Sequence, residues 1–189
     1  AYVTVPPVHC RIPTPSSPDM STIMTSLIVA GAIIPGTIRQ SFPMFLIPKT
    51  DGNARLIYNM NLWTPICRRS LPRFRLPTIQ KILKYIFPDS LLASVDLASA
   101  FFQVPIRRKD QKLFGIIYEG KTYRWTRLPM GWAFSPYILQ SQLERILKGL
   151  TLFSKWFLYL DNILLINNNK SEICTDLTIL QKALYLNET

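Results

Sequence analysis

The sequence predicts an α+β fold, and three observations carry that prediction. Residues 76–87 and 137–149 read as helices, the first with an apolar stripe at Ile79, Ile82, Leu83 and Ile86. Short apolar runs are paired about turn residues at Asp51-Gly52-Asn53, at Glu119-Gly120-Lys121 and near Asp161-Asn162. Of the 189 residues, 48% are hydrophobic and 12% aromatic, enough for a packed core.

The elements follow in order. Residues 1–18 are rich in Pro, Ser and Thr and read as an extended lead-in. Ser17-Pro18-Asp19 has the form of a helix start, with Ser as N-cap, Pro in the first turn and Asp at the positive end of the dipole. That helix is expected to run to about Ala30, where Gly31 is available to end it. PMFLIPKTDGNARLIYNM then reads as a hairpin, and residues 76–87 as the striped helix. LLASVDLASAFFQVPI reads as a buried strand, and IIYEGKTYRWTRL as a second hairpin. A helix over 137–149 ends at Gly149, KWFLYLDNILLIN forms a third hairpin, and residues 171–187 are helical. There is no repeat and no low-complexity tract. In such a layout two carboxylate-bearing strand segments lie side by side.

Charge narrows the partners. Lys and Arg number 22 against 11 acidic residues, a net charge of +11 with a pI near 9.8. Such a surplus favours polyanions, because each cation near a phosphate displaces condensed counterions. Charge alone leaves a basic protein with no nucleic-acid role equally open. Cys10, Cys67 and Cys174 form no C-x-x-C pair, and His9 beside Cys10 is half a metal site with nothing to complete it. The usage fits a reducing compartment, and a single His in a Pro-rich stretch argues against a His-based catalytic triad. The longest apolar run, Leu27 to Ile34, is far shorter than the roughly 20 residues of a membrane helix, and no signal peptide is visible. No membrane partner is expected. The missing initial Met suggests a piece of a longer chain.

Asp96 and Asp161 are the candidates for chemistry. Each interrupts an apolar run, and a carboxylate in a buried strand is costly unless its charge is compensated. A shared divalent cation would compensate both, and hard oxygen ligands suit Mg²⁺. The alternative is that they cap turns, which Asp161-Asn162 is well suited to do. Spacing alone favours the turn-capping reading.

The surrounding strings add a resemblance. SVDLASAFFQVPI resembles the first palm motif of retroviral-type reverse transcriptases, an Asp followed five residues later by an aromatic. YRWTRLPMGWAFSP resembles the block that precedes a palm helix, and FLYLDNILL is similar to the Y-x-D-D hairpin. FLIPKTDGNARLIYNMNLWT resembles the fingers hairpin, and the stretch from Met20 to Pro48 the helix and strand leading into it. The blocks occur in the family's order and cover about residues 19–187. The Pro-Met-Gly form is also similar to hepadnaviral polymerases, so the resemblance extends to reverse-transcribing elements in general.

The resemblance implies a right-hand polymerase palm, an antiparallel sheet backed by helices, with a fingers subdomain. Residues 19–90 would be mainly fingers and 91–189 mainly palm, interleaved, with the thumb absent. It implies RNA-directed DNA polymerase activity on an RNA or DNA template with primer and dNTP. Asp96 and Asp161 would be catalytic and, with the Leu97 carbonyl, would hold two Mg²⁺ ions, with Mn²⁺ as a substitute. Phe101 would be the steric gate beneath the incoming sugar, although periodicity alone makes it a core aromatic. Met130 and Gly131 would line the nucleotide pocket, and Arg55 and Lys49 would reach the triphosphate. Arg68, Arg69, Arg73 and Arg75 are further cations for the template backbone, without individual roles. An intracellular setting or a virus-like particle follows; the oligomeric state does not. One departure stands out: the hairpin reads Tyr159-Leu160-Asp161-Asn162, with Asn162 in place of the second carboxylate. Asn keeps an oxygen acceptor but removes a negative charge, so weakened activity, a shift towards Mn²⁺, or an inactive remnant that at most binds nucleic acid are all compatible with it.

Overall fold

Ser17 starts the first helix in the computed structural model, which describes residues 11–48, 54–64 and 72–185. In chain order the elements are α1 (Pro18–Val29), β1 (Ile33–Pro35), β2 (Met44–Pro48), β3 (Ala54–Tyr58), α2 (Ile79–Leu83), β4 (Leu91–Asp96), α3 (Ala100–Gln103), β5 (Gly115–Tyr118), β6 (Lys121–Trp125), α4 (Ser135–Lys148), β7 (Lys155–Tyr159), β8 (Asn162–Asn167) and α5 (Lys170–Tyr185). A short 3₁₀ turn, Gln111–Leu113, precedes β5. The chain forms two units, one of residues 1–71 and 101–135, the other of residues 72–100 and 136–189.

In the first unit, the Ser17 Oγ accepts the Met20 N–H at 3.2 Å, as an N-cap should. The far end of α1 closes in a Schellman motif. Gly31 takes φ +65°, its N–H donates to the Ile28 carbonyl, and the Ala32 N–H donates back to Leu27. One antiparallel sheet has the order β1-β6-β5, and β2 pairs with β3 separately. The β5–β6 register leaves only Glu119 and Gly120 in the loop, at φ 47° and 72°. Positive φ at both positions is the type I′ pattern that matches strand twist. Strands β2 and β3 pair from Met44↔Tyr58 to Pro48↔Ala54, while Asp51-Gly52-Asn53 lies outside the described residues. The core is aromatic: Phe42, Tyr58, Trp63, Trp125 and Phe134 are buried. Edge-to-face pairs such as Phe42–Trp63 at 5.0 Å and Phe114–Trp132 at 4.9 Å each add ~1 kcal/mol beyond the area they bury.

The second unit is an antiparallel sheet of order β4-β8-β7, with α5 packed on β8. Central β8 supplies Ile163, Leu165 and Ile166 to the core, and α4 supplies the i, i+4, i+8 stripe Leu139, Leu143 and Leu147. Asp176 of α5 is fully buried, and its two oxygens accept the N–H groups of Phe153 (3.0 Å) and Ser154 (2.7 Å), fixing the entry to β7.

Several expected elements differ. The helix expected over 76–87 is a single turn capped by the Thr78 side chain, with none of its residues buried; Ile79 and Leu83 are exposed. It ends at Lys84, and Pro88 disfavours helical geometry at Phe87. The buried strand expected from Leu91 onwards stops at Asp96 and lies at the sheet edge, with Leu91 and Leu92 exposed; β8 is the buried strand instead. The helix expected at 137–149 starts at Ser135, and Gly149 follows its last residue. The last helix starts at Lys170. Among the described residues, no helix is long and apolar enough to cross a membrane.

Candidate metal centre

The ladder of the second unit brings the two aspartates to one end of the sheet. Strand β4 pairs with β8 from Leu91↔Asn167 to Asp96↔Asn162, and β7 pairs with β8 up to Tyr159↔Asn162. Asp96, Asn162 and Tyr159 therefore share one rung, with Asn162 in the middle. Directly opposed residues on antiparallel strands share a face, their Cβ atoms about 5 Å apart. The Leu97 N–H donates to the Asp161 carbonyl at 3.0 Å, so the chain leaving Asp96 is tied to the turn holding Asp161.

That turn is tight. Leu160 and Asp161 form a two-residue loop, and Leu160 sits at φ 55°, in the left-handed region. For a residue with a branched side chain this costs roughly 1–3 kcal/mol. Gln140 of α4, itself buried, braces the loop. Its Oε1 accepts the Leu160 N–H at 2.9 Å, and its Nε2 donates to the Leu158 carbonyl at 3.3 Å and to Glu144 Oε1 at 3.0 Å.

The burial expected of the aspartates is not found. Asp96 is exposed at the end of an edge strand, and Asp161 is half-buried in the turn. Leu91, Leu92 and Tyr159 of the same apolar runs are exposed as well, so desolvation is not what calls for a cation here. What remains is the donor set. Among the described residues neither carboxylate forms an ion pair or side-chain hydrogen bond. No group of three or more His, Cys, Asp or Glu side chains gathers there or elsewhere among them. Two free carboxylates, the Asn162 side-chain oxygen and the Leu97 carbonyl fit Mg²⁺, which takes one or two carboxylates and completes its shell with water and phosphate.

The other expected site residues belong to the first unit. Phe101 is half-buried in α3, and Met130 and Gly131 are exposed. Gly131 has φ 109°, and a Cβ there would collide with the Tyr58 carbonyl oxygen, so the fold itself requires glycine. The Arg55 backbone pairs with Ile47 in the β2–β3 ladder. The Arg55 side chain, Lys49, Arg68, Arg69, His9, Cys10 and Cys67 lie outside what is described. Cys174 is free and exposed.

A family model described as reverse transcriptase (RNA-dependent DNA polymerase) matches residues 47–187. The chain belongs to the reverse transcriptase family. Among curated relatives of this reverse transcriptase chain, the Pro-Pol polyprotein of feline foamy virus is 24% identical over 173 residues, covering 87% of this chain and 14% of the polyprotein. A retrovirus-related Pol polyprotein from transposon 412 of Drosophila melanogaster is 24% identical over 175 residues, covering 89% of this chain and again 14% of the relative. The chain thus spans about a seventh of the length of either. The crystal structure of the prototype foamy virus protease-reverse transcriptase superposes with a TM-score of 0.81 at 22% identity, over 98% of this chain and 25% of that one. The foamy viral enzyme in complex with RNA/DNA hybrid gives 0.76 at 22% identity, over 98% and 25%. These likenesses bear out the α+β polymerase fold of fingers and palm and the retroelement ancestry. Gln140 and the strained Leu160 escaped the sequence reading: a glutamine on an amphipathic helix looks like surface, and its partners in the turn are backbone atoms.

Proposed function

We propose that this chain is the fingers-and-palm part of an RNA-directed DNA polymerase, transferring deoxynucleotides to a primer 3′-hydroxyl under template direction. The observation that carries the reading is the rung that sets Asp96 against the Tyr159–Asn162 hairpin, with neither aspartate in an ion pair among the described residues. Residues 19–90 serve mainly as fingers and residues 91–189 mainly as palm, the two interleaved. Asp96 and Asp161, with the Leu97 carbonyl, hold two Mg²⁺ ions, or Mn²⁺ in their place. When bound, such ions lower the pKa of the attacking hydroxyl and stabilise charge in the in-line displacement of pyrophosphate.

The remaining residues bind and select. Phe101 presents a ring that disfavours a ribose 2′-hydroxyl, and Met130 and Gly131 contact the nucleotide. Arg55 and Lys49 take the triphosphate as charge-assisted donors. The net charge of +11 supports binding of a template–primer backbone. So do the complexes of the foamy viral protease-reverse transcriptase with dsDNA and with RNA/DNA hybrid.

Asn162 favours a second reading, an inactive remnant of a retroelement polymerase that binds nucleic acid without extending it. Primer extension on poly(rA)–oligo(dT) with Mg²⁺ or Mn²⁺ separates the two. The polymerase reading expects metal-dependent extension that Asp96→Ala abolishes. Binding of the duplex with no extension by either the chain or its Asn162→Asp variant selects the remnant.

A further inference from the structure

We infer that Gln140 is a positioning residue which, by holding the Leu160–Asp161 turn, sets the spacing of the Asp96 and Asp161 carboxylates and with it divalent-cation affinity. The inference rests on the reading of those aspartates as metal ligands. Its grounds are geometric. Gln140 is 2% exposed, and both ends of its amide are spent on the backbone of the turn, the Leu160 N–H and the Leu158 carbonyl flanking Tyr159. The residue it holds, Leu160, is in a conformation that L side chains avoid. Such a conformation persists only where surrounding contacts over-determine it. The next residue, Asp161, is tied through its own carbonyl to the Leu97 N–H, one residue beyond Asp96.

Relaxing φ at Leu160 to ordinary backbone geometry would rotate the Tyr159–Leu160 peptide, whose N–H Gln140 holds, and would therefore do two things. It would swing the Asp161 carboxylate, and it would break the link to Leu97. The brace extends along α4: Glu144 accepts from Gln140 through Oε1 and from Lys148 Nζ through Oε2 at 3.3 Å. The amide is thus oriented by its own helix before it meets the turn.

Two variants test this, each read by amide hydrogen exchange and by Mn²⁺ binding followed by electron paramagnetic resonance. Gln140→Leu keeps much of the volume and removes the hydrogen bonds to Leu160, Leu158 and Glu144. It should speed exchange at the Leu160 amide roughly tenfold or more, the consequence of losing a buried hydrogen bond. Exchange at the β8 amides of Ile163 and Leu165 should not change, and Mn²⁺ affinity should fall by about tenfold, as expected for outer-shell support of a metal ligand. Gln140→Glu keeps a side-chain oxygen that accepts the Leu160 N–H and should retain protection at that amide. Should Gln140→Leu not fold, Gln140→Met, which fills a similar length without the amide, takes its place with the same expected results. Unchanged Leu160 exchange in Gln140→Leu or Gln140→Met overturns the inference. So does lost protection with unchanged Mn²⁺ affinity. A wild-type chain that protects Leu160 through Gln140 but binds no Mn²⁺ would instead sink the metal-ligand reading and, with it, the functional half of the inference.

Discussion

Replacing Asn162 by Asp should lower the stability of the metal-free chain while raising its affinity for divalent cations. Asn162 is paired with Asp96 across the β4–β8 ladder and follows Asp161 directly. The variant therefore places a third carboxylate about 5 Å from Asp96 at a solvated sheet end. Two like charges at that distance repel by about 0.8 kcal/mol at water's dielectric, a figure that salt reduces further. For a chain of this size that is a fall in Tm of roughly 2–3 °C. The same charge attracts a divalent ion about twice as strongly as it repels a monovalent one. The gain of roughly 1.5 kcal/mol per ion is about tenfold in affinity. Thermal melts of both chains with and without Mn²⁺ read both effects: the variant should melt lower without metal and gain more degrees from it. Equal metal-free Tm values with equal Mn²⁺-induced shifts would refute the placement of Asn162 beside a metal-binding carboxylate pair.

Two structural substitutions follow from the same coordinates. Gly131→Ala should destabilise the first unit by about 2–4 kcal/mol in urea unfolding, combining positive-φ strain with a clash against the Tyr58 carbonyl. Asp176→Ala leaves the buried Ser154 N–H and the Phe153 N–H without an acceptor, and should cost about 3 kcal/mol in the same assay, with loss of protection at the Ser154 amide.

How much of this was legible in the sequence depends on whether the signal was local. Ser17 and Gly31 bound α1 as expected because capping is decided within a few residues. Glu119-Gly120 turns as expected because a two-residue loop demands positive φ at its centre. The burial of Asp96 was misread because an apolar run does not say whether its strand lies at the centre or the edge of a sheet; β4 is an edge and β8 the centre. The stripe from Ile79 to Ile86 has helical spacing, but the residues that would cover it are not sequence neighbours. Gly131 is expected to line the nucleotide pocket, and the further reason for glycine there, the Tyr58 carbonyl, comes from a residue far away in sequence. Gln140 gave no signal of its role in the turn, since the groups it holds there are backbone atoms that the sequence does not name.

The exposure of Asp96 alters the energetic argument for the site. Buried carboxylates would have had to be neutralised for the fold to stand, and a cation would then have been part of its stability. Exposed ones impose no such demand; the cost of keeping them together without metal is mutual repulsion, which water and salt keep near 1 kcal/mol. The Leu160 turn and the Gln140 brace hold the Asp161 backbone against that repulsion through hydrogen bonds to main chain rather than through countercharge. An uncharged residue at position 162 lowers the repulsion further. On the proposed reading of the aspartates as metal ligands, the same exchange would weaken the grip on a divalent ion. The hairpin is held by hydrogen bonds to its backbone and should keep its geometry when divalent cations are chelated.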